Sequence, residues 1–324
     1  MMAMKTPRRL LALLLAAPLA AMVLVADEGL WPFNDLPVDR VKQSYKFAPT
    51  QDWLDHVRLS SVRFNNGGSG SFVSPRGLVM TNHHVGATCI QSLSTAAHDY
   101  MANGFYAPTA AEEKRCPDLE LNVLMGIEDV TERVNAGVKP EISDAARSQA
   151  QRGAMATLEK ECVQATGLRC DVVTLYEGGA FNLYRYKKYT EVRLVFAPEF
   201  EIAFFGGDPD NFTYPRYDLD VAFFRVYEND QPATTEHYLR WSPKGPRAGE
   251  LVFVSGNPGS TGRLLTVGQL EFLRDVQYPF QLKTLGGRRQ ALVAFSARGA
   301  EEARIAQEDL FGIENSIKAI STLN

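Results

Sequence analysis

Two titratable residues, His84 and Asp220, stand at the ends of apolar runs that read as strands, where a side chain is easily positioned for chemistry. The stretch from Gly67 to Val85 reads as two short strands joined by a turn. Ser69 to Val73 is small and β-prone, and Ser74-Pro75-Arg76-Gly77 has turn chemistry, with Pro second and Gly fourth. Leu78-Val79-Met80-Thr81 is then a buried strand that delivers His84 just past its end. The strand fixes the backbone and a loop leaves the ring accessible, which suits a general base. Such a histidine needs a partner that fixes its tautomer and stabilises the imidazolium. Asp220 lies in Leu219-Asp220-Val221-Ala222-Phe223-Phe224-Arg225-Val226. A carboxylate entering an apolar strand is costly to bury unless paired, and His84 would be that pair. Asp218 is the nearest rival, but only Asp220 has the apolar run directly behind it.

The elements that must hold these residues follow from periodicity and turn chemistry. Residues 27–41 are Pro-rich and irregular. Thr50 caps a short helix over residues 51–59, with Trp53, Leu54 and Val57 on one face. Helix is expected over 90–102 and strand over 119–127. Residues 129–136 and 143–164 read as helices, the second capped by Ser143, and form an insertion near 129–165. Strands return at 171–176, 181–186 and 191–196. Tyr184, Tyr186 and Tyr189 read as sheet-surface aromatics and not as a nucleic-acid platform. Leu251-Val252-Phe253-Val254 reads as a buried strand. From Leu264 onward helical periodicity dominates, interrupted at Gly286-Gly287, which places a domain boundary near 262–270.

The 324 residues are 45% hydrophobic and 22% charged, ordinary for a globular protein with a sizeable core. A net charge of -4 with no basic stripe argues against a nucleic-acid partner. Lys5, Arg8 and Arg9 precede an apolar run from Leu10 to Val25, the pattern of an export signal, with cleavage expected after Ala26. An uncleaved anchor is the alternative; after cleavage no membrane association is expected. Four cysteines in an exported chain imply two disulfides. Cys162 and Cys170 are close enough for a local loop around Gly167, which leaves Cys89 with Cys116. Four cysteines nevertheless allow three connectivities, and spacing does not choose among them. The chain has no CxxC spacing to favour a zinc site.

The pattern Gly-x-Gly-x-apolar, then Gly, three apolar residues and Thr-x-x-His-Val, resembles the general-base segment of chymotrypsin-fold serine peptidases. Thr81-Asn82-His83-His84 narrows this to a resemblance to the bacterial serine dipeptidyl-peptidases of types 7 and 11, in which the second His is catalytic. The resemblance makes His84 the base, His83 its neighbour and Asp220 the orienting carboxylate. Gly206-Gly207-Asp208-Pro209-Asp210-Asn211-Phe212-Thr213-Tyr214-Pro215-Arg216 resembles the segment that precedes the catalytic Asp in that family. There an Asn followed by an aromatic helps bind the substrate's α-amino group, which implies this role for Asn211 and Phe212. Glu314-Asn315-Ser316-Ile317-Lys318-Ala319 resembles a helix-borne motif whose Asn reaches toward the same amino group, here Asn315.

The family's nucleophile sits in a Gly-Asn-Ser-Gly-Ser-type loop, and the chain has no such segment. Gly256-Asn257-Pro258-Gly259-Ser260 is rejected, because Pro258 stands in the nucleophile's slot and removes a backbone N–H. The expected fold is mainly β with inserted helices: an incomplete chymotrypsin-like double β-barrel over 27–265, preceded by a signal peptide at 1–26. Residues 266–324 would begin an inserted α-helical domain. The expected function is the N-terminal part of a periplasmic or secreted serine exopeptidase that releases dipeptides from peptides with a free N-terminus. It would need no metal or organic cofactor, and this chain alone would be inactive. A homodimer, a trypsin-like periplasmic endopeptidase and a non-catalytic peptide-binding relative stay open.

Overall fold

The computed structural model describes residues 29–138, 141–257 and 265–323. The expected signal peptide, its cleavage site and Ser260 lie outside the described residues. The chain divides into two units, Met1–Leu36 and Pro37–Asn324. The described part of the first, residues 29–36, holds a turn closed by the Asp35 N–H on the Pro32 carbonyl at 3.0 Å.

The second unit is built on one antiparallel sheet. Its strands are β1 (Ser61–Phe64), β2 (Ser69–Phe72), β3 (Leu78–Thr81), β4 (Phe105–Tyr106), β5 (Lys114–Arg115), β6 (Leu121–Asp129), β7 (Arg169–Leu175), β8 (Ala180–Tyr189), β9 (Val192–Ala197), β10 (Ala222–Glu228) and β11 (Gln231–Pro232). They run in the order β4-β9-β10-β3-β2-β1-β6-β8-β7, with β5 on β9 and β11 on β10. Alternation decides which face is buried. On β10, Ala222, Phe224 and Val226 point inward and are fully buried, beside Val62, Phe64, Val79, Leu121 and Leu194. Phe64 and Phe224 meet edge-on, with ring centroids 5.9 Å apart. The insertion has its own core. Val134, Leu158 and Cys162 pack on Val172, Phe181 and Leu183 of the outer strands β7 and β8. Disulfides join Cys89 to Cys116 and Cys162 to Cys170, with Cα separations of 5.3 and 6.1 Å.

One expectation stands in part and three are corrected. The sheet does not close: β4 and β7 stand at its ends, so the described residues form an open antiparallel sheet with helices, which agrees with the incomplete closure expected but does not confirm a double barrel. Residues 251–254 form no strand, and Val252 and Val254 are exposed. An apolar run becomes a buried strand only where a partner strand receives it, and none does among the described residues. Phe253 instead joins Phe47 and Trp53, at centroid distances of 5.7 and 4.9 Å. The helix expected over 90–102 begins earlier, at His83–Leu93, and a separate turn follows at Tyr100–Asn103. The break has local causes: Ser94 Oγ accepts from the N–H groups of Tyr100 and Met101, and Asp99 caps the new turn. Finally, the helix Tyr278–Ser296 runs unbroken through Gly286-Gly287. Each helical Gly costs only about 1 kcal/mol relative to Ala, and packing against the next helix, Ala300–Leu323, opposes that cost.

Candidate active site

The ladder between β3 and β10 places the first pair. Ala222 is opposite Thr81 and Phe224 opposite Val79, so the two chains leave the ladder side by side at the same end. One leads back to Asp220, and the other forward through Asn82 into the helix His83–Leu93. His84 therefore sits in the first turn of a helix and not in a loop, which fixes its backbone more firmly than the sequence implied. Its Nδ1 is 2.6 Å from Asp220 Oδ2, and its backbone N–H donates to Asp220 Oδ1 at 3.1 Å. Asn82 Nδ2 donates to Asp220 Oδ2 and to the Asp220 carbonyl, at 3.2 and 3.1 Å. Asp218 is turned the other way, with Oδ2 3.0 Å from Arg216 Nε.

The electrostatics of this corner are asymmetric. Burial pushes the Asp220 carboxyl up, but the hydrogen bonds and charge of His84 outweigh it and hold the group below its ordinary value. An acceptor-only carboxylate in that position selects the tautomer with the proton on Nδ1, leaving Nε2 with a lone pair. The His84 side chain is 52% exposed, so that nitrogen is reachable. His83 behaves differently. It is 2% exposed, and burial pushes its imidazole down, with only partial opposition from Asp220. Its Nε2 is buried without a hydrogen-bond partner, and its ring lies 6.2 Å from that of Phe200. A neutral histidine backing a reachable one was beyond what the double His pattern could convey.

The second group joins two distant segments. Asn211 is buried at 8% exposure, and its Nδ2 donates to Asn315 Oδ1 on the final helix at 3.0 Å. Its Oδ1 accepts from Arg216 Nη1 at 2.9 Å. The backbone reaches this point through Gly206, at φ 83°, where a Cβ would collide with Asp210 Oδ2 at 1.9 Å. Phe212 follows at φ 62° with its ring 60% exposed, on the rim and not in the interior. Lys318 donates to the Asp208 carbonyl, and Phe311 packs edge-on against Phe204 at 4.7 Å, so the final helix is tied down on both sides of Asn315. It is tied to the histidine helix as well: Thr88 Oγ1 donates to Glu308 Oε1 at 2.9 Å and Gln91 Nε2 to the Arg304 carbonyl at 2.8 Å.

A single cavity of about 320 Å³ connects the two groups. His84, Asp220, Asn211 and Asn315 all line it, with Phe204 and Phe311 among its walls. Among the described residues its lining contains no Ser, Thr or Cys. The site thus offers a proton acceptor and a pair of amides but no attacking atom. Sequence reasoning gave no role to Arg216, which ends the segment 206–216, and missed Phe204 and Phe311.

A family model described as Peptidase S46 matches residues 26–324. Dipeptidyl-peptidase 7 of Porphyromonas endodontalis is 34% identical over 281 residues, covering 81% of this chain and 34% of that protein. The Asp/Glu-specific dipeptidyl-peptidase of Shewanella putrefaciens is 31% identical over 313 residues, 91% of this chain and 42% of that protein. The crystal structure of Porphyromonas endodontalis DPP11 in complex with substrate has the same fold. Its TM-score is 0.75 at 23% identity, over 91% of this chain and 46% of that one. The chain therefore spans less than half the length of these relatives.

Proposed function

The chain belongs to the peptidase S46 family, and from that premise we propose that it supplies the His–Asp half and the amino-terminus clamp of a serine exopeptidase releasing dipeptides. The observation that carries this reading is the one cavity lined by both His84–Asp220 and Asn211–Asn315. His84 Nε2 takes the proton of an attacking serine hydroxyl and then delivers it to the leaving amine, while Asp220 stabilises the imidazolium between these steps. The serine and the oxyanion donors come from sequence outside these 324 residues, so this chain alone is inert. Asn211 Oδ1 and Asn315 Oδ1 each accept one hydrogen bond from the protein, and each keeps a lone pair for an ammonium N–H of the substrate. Neutral amides do this without adding a buried charge. An anchored N-terminus fixes how far into a peptide the cut falls, whereas an endopeptidase has no use for the clamp. Two disulfides fit an oxidising compartment, and with the N-terminal signal pattern they support a periplasmic or secreted protein.

The test uses a longer polypeptide of the same gene that includes the serine segment. Peptides with a free amino end should release dipeptides, and their N-acetylated forms should be at least about tenfold poorer, the loss of one charge-assisted contact. Asn211→Ala should erase most of that preference with little change in secondary structure by circular dichroism. Equal turnover of the acetylated and free peptides would remove the exopeptidase reading. The empty lining also fits a peptide-binding protein without catalysis, and binding without turnover by the longer polypeptide would select that reading instead.

A further inference from the structure

The polarity of the amide pair is set from one end. Arg216 has only donors to offer, so the Asn211 atom facing it must be Oδ1. Nδ2 of Asn211 then faces Asn315, whose facing atom must in turn be an oxygen. One guanidinium thus fixes both amides with their oxygens available. The same arrangement has a cost. It puts a full positive charge one amide away from where an ammonium is proposed to bind, and like charges that close repel. Arg216 packs there with its guanidinium carbon 4.6 Å from the centre of the Phe204 ring and its side chain only 18% exposed, so water screens it poorly. The carboxylate that answers this charge is Asp218, 3.0 Å from Arg216 Nε and itself 24% exposed. The other titratable groups lining the cavity, and Lys318 outside its lining, are committed elsewhere. Asp220 is bonded to His84, His83 is buried with its imidazole pushed down, and Lys318, on the final helix, is turned to the Asp208 carbonyl.

We propose that Asp218 is the internal counter-charge of the amino-terminus clamp, allowing Arg216 to orient Asn211 and Asn315 without repelling the substrate's ammonium. Asp218 and Arg216 are then positioning residues, neither touching the reacting atoms. The inference rests on the amino-clamp reading above. It also accounts for a second aspartate two residues before Asp220 that takes no part in the histidine pair.

Binding to the 324-residue chain is sufficient to test it, because no chemistry is involved. The probes are alanyl-alanine amide and its N-acetylated form, with affinities read by NMR titration. At about pH 6.5, below the α-amino pKa of roughly 8, the natural chain should prefer the free-amino form. Asp218→Asn should weaken the free-amino form at least about tenfold, the effect of one charge roughly 12 Å or nearer at an effective dielectric near 20, and leave the acetylated form unchanged. That deficit should close as the pH is raised above the amine's pKa, and Asp218→Glu should retain the natural preference. If Asp218→Asn loses the circular-dichroism signature of the fold, Asp218→Ser is read in its place. A deficit that is the same on both sides of the amine's pKa, or that falls equally on the acetylated probe, would make Asp218 a structural residue only and overturn the inference. A natural chain with no preference for the free-amino probe would overturn the clamp itself.

Discussion

Asp220 accepts from both the ring and the backbone of His84, and each bond favours its charged form. The carboxyl titrates below its ordinary value of 3.8 in the folded chain, so its stabilising contribution is complete above that value. The contribution is lost as the pH falls through the lower folded pKa. The melting temperature of the natural chain should therefore exceed that of Asp220→Asn near neutral pH. The two should converge only once the pH has fallen below the lowered folded pKa, read by thermal denaturation monitored by circular dichroism. In an active longer polypeptide the same substitution should cost several powers of ten in kcat, because an amide neither selects the Nδ1–H tautomer nor stabilises an imidazolium. His84 and Asp220 were legible in the sequence because each stands beside an apolar run that betrays a strand end. Arg216 and Asp218 were not, since their relation to Asn315 depends on a contact between Asn211 and a residue 104 positions later. Local pattern carries no information about that contact.

The strands were legible wherever apolar runs or apolar–polar alternation mark them, and β3, β6, β7, β8, β9 and β10 lie within a few residues of where those patterns put them. Helix boundaries were less so. His83–Leu93 is short and rich in small residues, and what stops it is a serine hydroxyl bonded to backbone beyond the helix. The run 251–254 misled because hydrophobicity alone does not supply a partner strand. β10 also carries a polar device that the alternation conceals. Tyr227 donates to Glu113 Oε2 at 2.6 Å and Arg225 Nε to Glu113 Oε1 at 2.8 Å, with the Glu113 side chain 3% exposed. Burial, then the Glu113 bond and charge, push the Tyr227 phenol up to about 12. Glu113→Ala strands a half-buried guanidinium and a buried hydroxyl on the strand that leads back to Asp220. It should cost about 3 kcal/mol by urea denaturation, and Glu113→Gln should cost less. The Cys89–Cys116 bridge, 27 residues apart in sequence, ties the histidine helix to the segment just after β5. Replacing both cysteines with Ala should cost about 3 kcal/mol while leaving His84 and Asp220 within hydrogen-bond reach.

At the scale of the whole molecule, an open sheet supplies a proton acceptor with its carboxylate, and a helix from the far end of the chain brings an amide to the same cavity. Thr88 to Glu308 and Gln91 to Arg304 hold that helix against the one that carries His84, so the two halves of the site share a frame. What the described site lacks is an attacking atom, and a His–Asp pair without a nucleophile or an oxyanion hole has nothing to accelerate. The most direct measurement is dipeptide release by the 324-residue chain, assayed beside a longer polypeptide of the same gene that carries the proposed serine segment. The expected result is no release by the shorter chain, release by the longer one, and loss of that release on His84→Ala. Robust release by the 324-residue chain itself, abolished by Ser260→Ala, would contradict the division of the catalytic centre and make Ser260 the nucleophile.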